Sequence, residues 1–222
     1  MLEKTTDGDA VGDGGYRRIR NDIIFGQLRP DQKLRLEALR DDYGVSVSTL
    51  REILSRLSSE GFVIAEGRRG FEVAPVSAAN LKELADLRIL LECHAMQLSF
   101  AAGDMEWEGR VVSAHHKLAA VEKKLDSSKT ALSLWKRYDG EFHQALISNC
   151  GSRALMESHQ MVFDKYFRYP MISADRRGAE PVKQHRQLLE CALARDAKKA
   201  KTVLVAHVRN CVEYALSSGD LL

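Results

Sequence analysis

Residues 44–57, Gly-Val-Ser-Val-Ser-Thr-Leu-Arg-Glu-Ile-Leu-Ser-Arg-Leu, constrain this chain more than any other stretch. They read as a short turn followed by a helix, because Leu50, Ile53, Leu54 and Leu57 recur at the i, i+3, i+4, i+7 spacing of a buried stripe. The opposite face carries Ser48, Thr49, Arg51, Ser55 and Arg56, short hydroxyl donors and long cations. Such a face suits a DNA groove. Hydroxyls and a helix N-terminus bind phosphate, and arginines reach base edges or backbone. The same face would also serve an ordinary solvated amphipathic helix, so its neighbours decide between the two readings.

Those neighbours are short elements. Tyr16, Ile19, Ile23 and Ile24 mark a first helix that stops near Gly26, and Arg29-Pro30-Asp31 then turns the chain. Leu36, Leu39 and Tyr43 mark a second helix closed by Gly44. The third spans 46–61, with Ser46 as N-cap and Gly61 as stop. Residues 62–65 and 71–74 read as two strands around the tight loop Glu66-Gly67-Arg68-Arg69-Gly70. Helix, helix, turn, helix, hairpin is the layout of a winged helix-turn-helix over residues 16–76. Arg68 and Arg69 at the wing tip could enter a minor groove or grip phosphates, or simply be solvated. This region holds eleven Arg and Lys against nine Asp and Glu, so a basic surface must come from placement. The net charge of +2 for the whole chain says as little.

From Ser77 onward the pattern is helical, over about 78–102, 105–125, 129–149, 152–169, 180–195 and 197–217, with breaks at Gly103, Asp126-Ser127-Ser128, Gly151, Pro170 and Pro181. Apolar positions such as Leu81, Leu84, Leu87, Leu91 and Leu98 recur with helical period. The expected fold is therefore mainly α: an N-terminal winged helix-turn-helix with a small β-hairpin, then an all-α antiparallel bundle over 77–222. Bundles of this kind place ligand or metal sites between facing helices. A length of 222 residues is comfortable for two domains, and 45% hydrophobic with 29% charged residues points to a globular chain. Residues 1–15, rich in Gly, Asp and Thr, read as a disordered leader. No apolar run reaches membrane-span length and nothing resembles a secretory signal. Cys93, Cys150, Cys191 and Cys211 are widely spaced without a C-x-x-C pair, as in a reducing cytoplasm.

The chain resembles the GntR family of bacterial transcriptional regulators, in the FadR-type subgroup with an all-helical FCD effector domain. The resemblance is carried by Tyr16-Arg17-Arg18-Ile19, Ile24-Phe25-Gly26-Gln27-Leu28-Arg29-Pro30, Leu50-Arg51-Glu52-Ile53-Leu54-Ser55-Arg56-Leu57 and Glu60-Gly61-Phe62-Val63. Within the subgroup, Asn21-Asp22-Ile23-Ile24, Lys33-Leu34-Arg35 and Cys150-Gly151-Ser152 look like the carbon-starvation-induced, glutarate-responsive repressors. The family usually has arginines where Glu37 and Val47 stand, and both touch DNA. Their absence removes two expected contacts, which Lys33, Arg35, Arg51, Arg68 and Arg69 would in part replace. Arg51 is the expected principal contact; its rival role is a surface salt bridge.

Asp139 and His143, four apart, project from one face of a helix. In the metal-binding FCD subgroup an aspartate and three histidines hold one divalent metal. The resemblance places them at Asp139, His143, His185 and His207, a donor set suited to Zn²⁺ or Ni²⁺. It also points Arg88 at the pocket to bind the carboxylate of a small organic acid; an Arg88–Glu92 pair is the plainer alternative. The implied protein is a cytoplasmic homodimeric regulator, more a repressor than an activator, that reads a palindromic operator and is controlled through a hinge near residues 74–77. A metal-dependent enzyme and a protein-interaction adaptor are the rival classes.

Overall fold

The computed structural model describes residues 7–67, 70–124, 128–172 and 180–217. It divides into two compact units between Val76 and Ser77. The first contains α1 (Asp7–Ile24), β1 (Lys33–Leu34), α2 (Leu36–Tyr43), α3 (Val47–Ser59), β2 (Val63–Ala65) and β3 (Phe71–Val73). Ile19, Ile23, Leu39, Leu50, Leu54, Leu57, Phe62 and Val73 form its core. The stripe read from the sequence is the stripe that is buried.

Capping chemistry sets the ends of α2 and α3. Gly44 closes α2 in the left-handed conformation (φ 67°), and its N–H reaches the Arg40 carbonyl. Ser46 opens α3 by accepting from the Thr49 N–H at 3.2 Å. The hairpin pairs Val63 with Val73 and Ala65 with Phe71. A third strand, β1, completes an antiparallel sheet of order β1-β3-β2, with Lys33 opposite Glu72. Two residues are too few to show alternation, which is why β1 left no trace in the pattern.

The leader expectation fails from Asp7 onward, because α1 begins there. Glycine composition suggested disorder, yet it permits close helix packing. A Cβ on Gly15 would lie 3.1 Å from both Val45 and Ile53, and one on Gly12 would meet Thr49 at 3.6 Å.

The second unit holds α4 (Ala78–Ala102), α5 (Met105–Glu122), α6 (Lys129–Ile147), α7 (Arg153–Ile172), α8 (Glu180–Leu193) and α9 (Ala197–Ser217). Ser77, Asp104 and Ser128 cap α4, α5 and α6 through the N–H groups of Asn80, Trp107 and Ala131. Helix α4 packs against α6, α7 and α9, while α5 packs on α6 and α8. Its leucine row does not mark the buried face: Leu81 is buried, but Leu87 and Leu98 are exposed, and Arg88, Glu92 and Ser99 point inward instead. No described helix is long and apolar enough to cross a membrane.

Candidate metal centre and nucleic-acid interface

Charged groups inside a bundle cost several kcal/mol each unless they are paired or hold an ion. This bundle buries seven polar side chains around one point, Arg88, Glu92, Asp139, His143, His159, His185 and His207, none more than 3% exposed. Asp139 and His143 come from α6, His185 from α8 and His207 from α9. Each offers one ligand atom, and the four atoms lie within 4.8 Å of one another.

A partner on the far nitrogen fixes each imidazole. His143 Nδ1 meets Glu92 Oε1, His185 Nδ1 meets Glu122 Oε1 at 2.8 Å, and His207 Nδ1 meets Gln184 Oε1 at 3.1 Å. An oxygen acceptor calls for Nδ1–H, which turns the bare Nε2 toward the centre, the arrangement outer-shell partners impose on metal-binding histidines. His143 Nε2, His185 Nε2 and Asp139 Oδ1 are buried without a hydrogen bond. His185 Nε2 and Asp139 Oδ1 lie 3.2 Å apart, off hydrogen-bonding geometry. Orphaned donors of this chemistry fit a divalent ion of the zinc or nickel kind.

Without a metal the four groups sit in different charge states. Burial pushes the Asp139 carboxyl up, but the neighbouring His185, His143 and Lys136 hold it well below the usual carboxylate range. Burial opposes charge on His185, yet Asp139 and Glu122 raise it to about 9. Burial lowers His143 and His207, the latter helped by the charges of His185 and His143.

A pH test follows for chelated protein. His185 is raised above its ordinary 6.5, so stability from its charged form is complete below pH 6.5 and lost as pH rises through about 9. Metal-free protein is expected to melt at progressively lower temperature across that window. A flat series of melting curves would contradict the placement of His185 between two carboxylates.

Arg88 is buried against Glu92 (Nε–Oε2 2.9 Å), as in the plainer sequence alternative, and its Nη2 lies 3.3 Å from His143 Nδ1. Glu92 also accepts from His159 Nε2 at 3.1 Å. Glu122, His159 and Gln184 escaped the sequence reading, which had Glu92 only as the pair of Arg88. The spacing of Arg88 and Glu92 was visible, but nothing local showed that it faced inward.

In the first unit, Ser48 and Arg51 are exposed on α3, and Arg51 makes no ion pair among the described residues. Ser46 is exposed, with its hydroxyl engaged as the cap and 2.8 Å from that of Ser48. Thr49 is half-buried beside Gly12. Lys33 and Arg35 are exposed, on β1 and before α2. Arg56, expected on the DNA-facing side, is tethered: its guanidinium sits 3.7 Å over the Tyr16 ring and pairs with Asp13 at 3.6 Å and Glu60 at 3.5 Å. Tyr16 donates to Glu60 at 2.6 Å, closing the clasp. Arg68 and Arg69 lie outside the described residues.

Residues 83–210 match the FCD domain family, and residues 15–73 match the bacterial regulatory proteins of the gntR family. The chain is 34% identical to the HTH-type transcriptional repressor GlaR of Escherichia coli over 87% of its own length and 90% of that protein. It is equally identical to the uncharacterized HTH-type transcriptional regulator BphR of Paraburkholderia xenovorans, over 93% and 85%. The solved structure of E. coli McbR/YncC superimposes with a TM-score of 0.78 at 18% identity, covering 98% of this chain and 99% of that one. The chain belongs to the GntR family of DNA-binding transcription regulators, with a C-terminal FCD domain, and is not an enzyme.

Proposed function

We propose that this protein is a homodimeric repressor whose grip on a palindromic operator is controlled by a small carboxylic acid bound beside a divalent metal in the bundle. One observation carries the effector half of this reading. Three imidazoles, each held by its far nitrogen, converge with Asp139 on one buried point. Asp139, His143, His185 and His207 would hold the ion. Bound there, it supplies a Lewis-acid centre with coordination open to a carboxylate oxygen. Exposed Arg51, Ser48, Lys33 and Arg35 support the operator half, with two-fold symmetry setting the half-site spacing.

An effector releases DNA only by favouring the incompetent arrangement. A hundredfold loss of operator affinity needs about 2.7 kcal/mol of differential binding. Gel-shift titration of a fragment from the protein's own upstream region tests this, using zinc-loaded and chelated protein with and without organic acids. Specific binding that a carboxylic acid weakens only in the zinc-loaded protein is the expected result. Specific binding indifferent to metal and acid alike would remove the effector half and leave the DNA-binding half standing.

A further inference from the structure

The chain enters the bundle at Ser77, the first residue after the boundary between the two units and the N-cap of α4. In a capping box, an acceptor side chain at the third helical position takes the N-cap N–H. Asn80 holds that position here, but its amide is used otherwise: Oδ1 accepts from the Tyr169 hydroxyl at 2.8 Å and Nδ2 donates to Glu83 at 3.3 Å. The Tyr169 oxygen stands in for the missing acceptor and receives the Ser77 N–H at 3.4 Å. Tyr169 belongs to α7 and is 1% exposed, so a buried side chain from another helix pins the point where the linker ends.

The same face of α7 meets the metal centre. His159, Phe163, Tyr166 and Tyr169 follow one another at intervals of four, three and three residues, the spacing of one helical face. His159 Nε2 donates to Glu92 Oε2 at 3.1 Å, and the Phe163 ring centroid lies 5.7 Å from that of His143. The Arg88 guanidinium packs 4.5 Å from the Phe163 centroid and 4.8 Å from that of Tyr166. Along α4 these contacts run in reverse order, His159 at Glu92, Phe163 and Tyr166 at Arg88, then Tyr169 at Asn80 and Ser77. The two helices are therefore antiparallel. Ten residues, roughly 15 Å of helix, separate the part of α7 at the centre from the part at the linker.

We propose that Tyr169 is the positioning residue that couples the state of the centre to the linker, by holding Ser77 and Asn80 from a helix that His159 and Phe163 tie to His143 and Glu92. This rests on the metal-assisted effector reading above. An occupied centre fixes His143 and Glu92, and through them the first half of α7; the Tyr169 hydroxyl carries that placement to the start of α4. The rival route runs along α4 itself, which bears both Glu92 and Ser77. Removing one hydroxyl separates the two routes, because α4 keeps its own path when Tyr169 loses its oxygen.

The test uses the full chain, stripped with a chelator and reloaded with zinc alone. Amide hydrogen exchange over residues 74–80 is followed by mass spectrometry, and zinc affinity by chelator competition. In wild-type protein zinc is expected to slow exchange there by about tenfold. Tyr169→Phe keeps the ring and should bind zinc as wild type does while losing that slowing. Asn80→Ala removes the acceptor of the hydroxyl from an exposed position and should lose part of it; it also serves if Tyr169→Phe fails to fold, as judged by its melting curve. Gel shifts with short mono- and dicarboxylates read the consequence: an acid that weakens operator binding by zinc-loaded wild type should act about tenfold less on Tyr169→Phe. A folded Tyr169→Phe protein that keeps the zinc-dependent slowing overturns the proposal, since α4 alone would then carry the signal. So does one that loses zinc affinity, which would make Tyr169 a support of the centre. Wild-type protein that takes zinc with no change over residues 74–80 overturns it as well. Wild-type protein that takes no zinc overturns the metal reading beneath it, and operator binding indifferent to every acid overturns the effector reading.

Discussion

His143→Ala is expected to weaken zinc binding by more than the roughly 10–100-fold typical of losing an outer-shell partner. The substitution removes one of four ligand atoms and also withdraws the group that Glu92 Oε1 engages. A buried carboxylate then keeps only Arg88 and His159. His159→Ala bears on the second effect, because among the described residues His159 hydrogen-bonds to the centre through Glu92; its cost should fall inside the roughly 10–100-fold range. His94→Ala, on the exposed side of α4, should change nothing. Equilibrium dialysis against a zinc buffer ranks the three, and wild-type affinity in His143→Ala would sink the metal centre. In the ligand variant, operator binding should persist without acid and no longer respond to it. That outcome separates loss of regulation from loss of fold.

What could be read from the sequence depended on where the signal was local. The α3 stripe, the Ser46 cap and the Gly44 stop are set by residues within one or two turns, and all three stand as read. The four metal-site residues come from three helices, and only Asp139 and His143 share a local spacing. Family resemblance supplied the set of four as ligands, and packing brings the four together. Helix α4 shows why pattern alone fails inside such a bundle. Its inner face sets Arg88, Glu92 and Ser99 among Leu81, Ala85, Ala95, Met96 and Phe100, while leucines at 87 and 98 fall outside. Arg56 was read from its place on the outer face of α3, and nothing local showed that the Tyr16 ring and the Asp13 and Glu60 carboxylates engage its half-exposed side chain.

That contrast between two arginines on one helix yields the second large expected effect. Arg51 is exposed and unclaimed by any described acid, so Arg51→Ala should cost operator affinity about 1–3 kcal/mol if it reads a base edge. If it instead grips phosphate, the loss should be spread evenly over operator variants and the salt dependence should shallow by about one counterion. Arg56 is held by Tyr16, Asp13 and Glu60, and Arg56→Ala should leave the salt slope unchanged. Its effect should appear as a lower melting temperature, because the clasp joins α1 to α3. Gel shifts at three salt concentrations, paired with melting curves, separate the two roles. Were Arg51→Ala to bind the operator as wild type does while Arg56→Ala flattened the salt slope, the assignment of the two residues would have to be exchanged, and α3 would meet DNA by a different edge.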